Sequence, residues 1–184
     1  MIKWRKAKGV IIMSFLELAK TRYSVRSFTD EPVKPEDLAK ILEAGKVAPT
    51  AKNQQPQKIY VLQSEDALKK INETSHCIYG AKTVLMVCKD TTREWDNPLE
   101  EGHKSGDQDI AIVATHMMME AWELGVGSCW VCYFVPQKCK DLFNLPENEE
   151  PVMLLPMGYP SENAAPREET HSVYREDDDM VSYI

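Results

Sequence analysis

Two guanidinium groups and two serine hydroxyls crowd into Arg22-Tyr23-Ser24-Val25-Arg26-Ser27-Phe28. A guanidinium fork matches phosphate oxygens in a bidentate way and hydroxyls add further donors, so the segment suits a phosphate clamp; it equally suits an exposed turn with solvated arginines. Between residues 48 and 57 the chain reads Ala-Pro-Thr-Ala-Lys-Asn-Gln-Gln-Pro-Gln. Amide side chains carry donors and acceptors together, which fits the edge of a heterocycle, or simply a polar turn bracketed by Pro49 and Pro56. A third segment, Gly125-Val126-Gly127-Ser128-Cys129-Trp130, passes tightly from a helical pattern into an extended one. Its glycines admit close approach of another group to the backbone, whether a ligand or a packed neighbour. It is not the dinucleotide fingerprint, because Trp130 stands where the third glycine belongs and the order is helix to strand.

Other reactive residues are less organised. Cys129-x-x-Cys132 invites a dithiol or zinc reading, yet residues three apart on a strand point to opposite faces, and no second Cys/His pair completes a metal site. His76, His103, His116 and His171 form no His-x-x-x-His or Ser/His/Asp pattern. Asp107 and Asp109 stand at the start of an apolar helix and read as its caps. Met117-Met118-Met119 reads as core or interface packing.

Composition bounds the function. The chain has 184 residues, 43% hydrophobic and 28% charged, enough for one domain with its own core and no need of disulfides or metal. A net charge of −7 repels nucleic-acid backbones as a main partner, while leaving room for a local anion site. No apolar stretch approaches the ~20 residues a membrane-spanning helix needs. The five cysteines are an odd number, which points to reduced thiols and a cytoplasmic setting. Lys3, Arg5, Lys6 and Lys8 before Val10-Ile11-Ile12-Met13 imitate a signal peptide, but Glu17 and Lys20 cut the apolar run short and no small-residue cleavage site follows. Ser14-x-x-Glu17 is a reciprocal helix cap, so the domain is expected over residues 13–184, with 1–12 as an extension. Lys8-Gly9-Val10 is what a translated ribosome-binding site spells, which makes Met13 an alternative start.

The elements that must position these residues follow from periodicity. Helices are expected from Ser14 to about Arg22, from Pro35 to before Pro49, after Ser64, from Asp109 to Leu124, and from Pro136 to Phe143. Strands are expected at 58–63, 83–88, 129–135 and 151–157, with a long polar loop over 89–108 that suits covering a site. Four strands separated by helices make a layered α/β or α+β domain.

Taken in order, the three segments resemble the nitroreductase family of flavin enzymes from about Met13 to the C-terminus. The resemblance implies an α+β sandwich, a central mixed β-sheet flanked by helices, in an intertwined homodimer with two flavin sites at the interface. It implies FMN as cofactor, with Arg22, Ser24 and Arg26, and Tyr23 between them, at the phosphate and ribityl chain. Pro49, Thr50, Asn53 and Gln55 are implied to contact the cofactor bound mainly to the other subunit. Cys129 and Trp130 place backbone groups against the flavin ring, and Arg167, or else Arg175, gives a second phosphate contact. Cys132 stands where relatives often have glycine. The implied activity is hydride transfer from NADH or NADPH to FMN and then to a small acceptor such as a nitroaromatic, quinone or flavin, in a ping-pong cycle. No side chain serves as a dedicated acid or base, and Arg26 is assigned to negative charge at the N1/O2 edge of the ring. Two rivals stand beside it: a non-catalytic flavin-binding or sensor protein on the same fold, and a thiol redox protein using Cys129 and Cys132.

Overall fold

The computed structural model of the chain describes residues 5–7, 10–12 and 14–184. The expected extension over 1–12 lies largely outside the described residues; within it, Arg5–Ala7 (β1) pairs antiparallel with Val10–Ile12 (β2). Helix α1 (Phe15–Thr21) starts at the expected reciprocal cap, with Glu17 N–H donating to Ser14 Oγ and Ser14 N–H to Glu17 Oε2, both at 3.2 Å. Pro35 opens α2 (Pro35–Val47), where its missing N–H costs nothing.

The sheet consists of β3 (Gln57–Leu62), β4 (Thr83–Asp90), β5 (Gly127–Ser128) and β6 (Glu149–Gly158) in the order β3-β4-β6-β5. Every pairing among these strands is antiparallel, so the mixed sheet expected from the resemblance is corrected to an antiparallel one; the one parallel pairing, Ser24 to Ser128, is an isolated bridge outside the strands. Side chains alternate across a strand, so the almost wholly apolar β4 serves two cores at once. Leu85 and Val87 face α2 and the central helix α4 (Gly106–Glu123), together with Met153, Leu155 and Met157 of β6. Val84, Met86 and Cys88 face the other way, joining Leu154 and the layer that contains α3 (Glu65–Asn72) and α5 (Pro136–Phe143). Where α2 crosses α4, Gly45 lies so close that a Cβ there would fall 2.8 Å from Met117 Cγ.

Two further expectations are corrected. The strand expected over 129–135 is not formed: β5 is two residues long, and beyond it only Val131 bridges Leu154. Extended apolar residues suggest a strand, but Phe134 N–H turns back onto Cys132 O and Pro136 starts α5, so the chain leaves the sheet edge. The loop expected over 89–108 is shorter at both ends, because β4 runs to Asp90 and α4 begins at Gly106. Within it Asp96 bridges Lys104 and Ser105 N–H donates to Trp95 O at 3.0 Å, so the segment doubles back as an irregular hairpin. Past the sheet come two short helical turns, α6 (Glu168–His171) and α7 (Asp177–Met180).

Candidate functional site

Directly after α1, the chain is stapled to the sheet edge: Val25 N–H donates to Ser128 O at 2.9 Å and Val25 is fully buried. Alternation then turns Ser24 and Arg26 away from the core, into a cavity of about 490 Å³ that Arg22, Tyr23, Arg167 and His171 also line. Arg167 arrives from the far end of the chain. Tyr23 brings it there by donating from its hydroxyl to Ala164 O at 3.3 Å, with its ring edge-on to Trp122 and His171 at centroid distances of 5.2 and 6.2 Å. Burial raises the Tyr23 phenol above its ordinary pKa, so it stays a neutral donor. Of the two basic candidates in this region, Arg167 lines the cavity; Arg175 is turned elsewhere and donates to Asp179 O at 2.7 Å.

No carboxylate lines this cavity, and among the described residues none of Arg22, Arg26 and Arg167 takes part in a salt bridge. In a chain of net charge −7, three guanidinium groups gathered without an acid select for an anion. A phosphate monoester, with its oxygens available to bidentate forks and the Ser24 hydroxyl, fits this donor set. Arg26 is the best braced of the three: it donates to Ser24 O at 3.0 Å, and the Tyr79 phenol lies near enough for the Arg26 guanidinium to oppose the rise in pKa that burial causes there. Tyr79, itself in the left-handed region at φ 56°, was not foreseen, and nothing in its local sequence marks it.

Behind the arginines runs the glycine segment. A Cβ on Gly127 would sit 2.5 Å from Val25 Cγ2, so only glycine lets the two chains approach this closely. Cys129 N–H is taken up by Pro156 O at 3.1 Å. Its thiol is buried, and burial raises its pKa, an effect that Arg26 and Ser24 partly offset. Cys132 is exposed and accepts a hydrogen bond from Trp130 Nε1 at 3.1 Å, which gives this cysteine a role in orienting the indole. The two thiols of the Cys-x-x-Cys pair thus sit in different surroundings, and all five cysteines are free.

The amide loop stands apart from the arginine cavity within one chain. After Pro49 it makes a tight turn at Ala51–Asn53, in which Lys52 and Asn53, and then Gln55, hold φ of 49°, 56° and 51°. Such left-handed conformations cost a non-glycine residue about 1 kcal/mol or more each and persist only where surrounding bonds enforce them. Here Thr50 Oγ1 accepts from Gln55 N–H at 3.1 Å, Gln55 Nε2 donates to Asn53 Oδ1 at 3.0 Å, and Ala51 N–H donates to Asp109 Oδ1 at 2.8 Å. Asp109 therefore does not cap α4 as expected; its carboxylate reaches out to a neighbouring loop. Asp107 pairs with Lys89 at 2.9 Å and does not cap the helix either. Gln57 Oε1, just past the loop, is buried without a donor among the described residues. The described residues contain no cluster of three or more metal-ligating side chains and no helix long and apolar enough to cross a membrane.

The sequence profile of the Nitroreductase family matches residues 19–79 and 74–159, which together hold the arginine segment, the amide loop and the glycine segment. The chain belongs to the nitroreductase family. A crystal structure of a nitroreductase family protein from Clostridium difficile 630 superposes with a TM-score of 0.87 and 40% identity, covering 93% of this chain and 98% of that one. A relative in Methanothermobacter thermautotrophicus is 30% identical over 163 residues, 85% of this chain and 82% of its own. An FMN reductase [NAD(P)H] of Bacillus subtilis is 29% identical over 185 residues, 88% of this chain and 74% of its own. The α+β architecture of this nitroreductase is shared along nearly its whole length with the Clostridium difficile protein.

Proposed function

We propose that this nitroreductase is an FMN-dependent oxidoreductase of the cytoplasm, working as a homodimer that takes hydride from NADH or NADPH and reduces a small acceptor in a ping-pong cycle. Nitroaromatics, quinones and free flavins are the acceptor class. The observation that carries this reading is the acid-free cavity in which Arg22, Ser24, Arg26 and Arg167 converge. That donor set fits the phosphate of FMN, and the relative named FMN reductase supports the same assignment. When bound, FMN supplies the hydride-accepting chemistry that the protein's side chains lack.

The chain's own residues bind and orient. Arg22, Arg167 and the Ser24 hydroxyl hold the phosphate, and Tyr23 keeps the segment around Ala164 folded over it. Arg26, braced by Ser24 O, would be the fixed cation beside the N1/O2 edge of the ring; a fixed charge in a site that excludes water is worth far more than the same charge in water. Cys129 and Trp130 would set backbone groups against the ring. Pro49, Thr50, Asn53 and Gln55 complete the site from the second copy, which accounts for their absence from the cavity of one chain. A second copy has a surface to meet: α4 exposes Ile112, Thr115 and His116 in one stripe, beside a hollow of about 280 Å³ that Phe15, Leu18, Ala44 and Met119 line, with Glu120 and Glu123 also on its wall.

An absorption spectrum of the purified protein, taken without oxygen before and after adding reduced nicotinamide cofactor, tests the reading. A bound-flavin spectrum that bleaches on addition is the expected result. A colourless protein that also fails to take up FMN would overturn it.

A further inference from the structure

Asp109 is 2% exposed, the most deeply buried carboxylate among the described residues, and its two oxygens are spent on two different loops. Oδ1 accepts from Ala51 N–H at 2.8 Å and Oδ2 from Ser105 Oγ at 2.7 Å. Ser105 is buried as well, and its hydroxyl also accepts from Trp95 N–H at 3.2 Å, so it ties the 91–105 hairpin to the same carboxylate. A chain of bonds thus runs from Trp95 through Ser105 and Asp109 to Ala51. Burying a carboxylate is costly unless every lone pair direction that matters is satisfied, so the arrangement is rigid or it does not form at all. At the Ala51 end it meets the segment with three left-handed side-chain-bearing residues, the conformation most in need of an external hold.

We propose that Asp109 is a positioning residue: its carboxylate clamps the amide loop at Ala51 against the 91–105 hairpin at Ser105, and thereby holds Thr50, Asn53 and Gln55 in the shape that contacts FMN. The inference rests on the FMN reading given above. It assigns work to a residue whose place in the first turn of a helix makes it look like a cap. It also couples the 91–105 hairpin to the loop assigned to the cofactor, so that a displaced hairpin loosens the hold on that loop.

Amide hydrogen exchange and FMN titration on Asp109→Ala, Asp109→Asn and Ser105→Ala, against the parent protein, test it. Asp109→Ala is expected to speed exchange over 48–57 while β4 keeps its protection, and to raise the FMN dissociation constant about tenfold, the usual scale for a lost bond to a charged acceptor. Asp109→Asn keeps an acceptor for Ala51 N–H and is expected to recover most of both. Ser105→Ala is expected to speed exchange in 91–105 more than in 48–57. Parent-like exchange over 48–57 in Asp109→Ala, or faster exchange there with an unchanged FMN constant and visible spectrum, overturns the inference while leaving FMN binding intact. A parent protein that takes no FMN overturns the function instead, and the exchange comparison still decides whether the clamp exists. Should Asp109→Ala not fold, the ordering of Asp109→Asn and Ser105→Ala carries the decision.

Discussion

Arg22 and Arg167 face the same cavity from opposite ends of the sequence, and each should contribute charge-assisted bonds to a phosphate. Replacing either by alanine is expected to weaken FMN binding roughly 10- to 100-fold, the scale set by losing a hydrogen-bonded charge, with the chemistry of the loaded fraction less affected. Arg175→Ala should leave binding unchanged, because that side chain serves its own turn. Fluorescence titration of the three variants checks this, and equal losses at Arg167 and Arg175 would contradict it. The thiols make a second prediction. Burial pushes Cys88 up to about 12 and raises Cys129 and Cys139 as well, so at pH 8 these stay protonated, shielded and slow to react. An aromatic disulfide reagent should label exposed Cys132 first, and Cys132→Ser should remove that fast phase while the protein still takes up FMN. At this scale residue type left the arginine segment open between an anion clamp and an exposed turn, and what favours the clamp is a cavity without carboxylates that Arg167 reaches from the far end of the chain. The choice between Arg167 and Arg175 was not readable, since both are lone basic residues in a polar tail and only the Tyr23 to Ala164 bond separates them.

At the level of elements, the glycine segment and the arginine segment are one construction. Gly127→Ala would drive a methyl into Val25, which is fully buried and sits between Ser24 and Arg26. Overpacking of this kind costs about 1–3 kcal/mol, and here the backbone that must yield carries two cavity residues. Gly127→Ala is therefore expected to lower the melting temperature and the FMN content together, as seen by calorimetry and by the absorbance ratio of the purified protein. A variant that is destabilised yet fully loaded would show the two segments to be independent. Helices were legible because caps and prolines mark their ends: Ser14, Ser64, Pro35 and Pro136 all stand where the structure starts a helix. The run 129–135 misled because β-branched and aromatic residues report extended backbone, not pairing. Asp109 misled for a related reason: a carboxylate in a first turn has the same spelling whether it turns inward to its own helix or outward to another loop.

For the whole molecule, the question is what covers the outer stripe of α4. Ile112→Glu would place a charge in the surface assigned to the second copy, where an unpaired charge is costly to bury. It is expected to shift the protein from dimer to monomer in sedimentation velocity and to lower FMN content, although Ile112 does not line the arginine cavity. A monomeric parent protein would contradict the assembly, and a dimeric variant with full FMN would move the interface elsewhere. No part of this was legible from periodicity, because an apolar helix face meets a partner or a core with the same residues. Only the separation of the amide loop from the arginines in one chain points outward.

The bond between Tyr23 and Ala164 spans 141 residues, and the cavity it closes needs Arg167, which follows the last strand of the sheet. During synthesis, α1 and its arginine segment emerge early, yet they wait through the making of every strand before the opposite wall exists. Contacts of such long range carry a large loop-closure cost and slow folding. If the cavity holds the cofactor's phosphate as proposed, the pocket for it is complete only once Arg167 and the turn at Ala164 are in place.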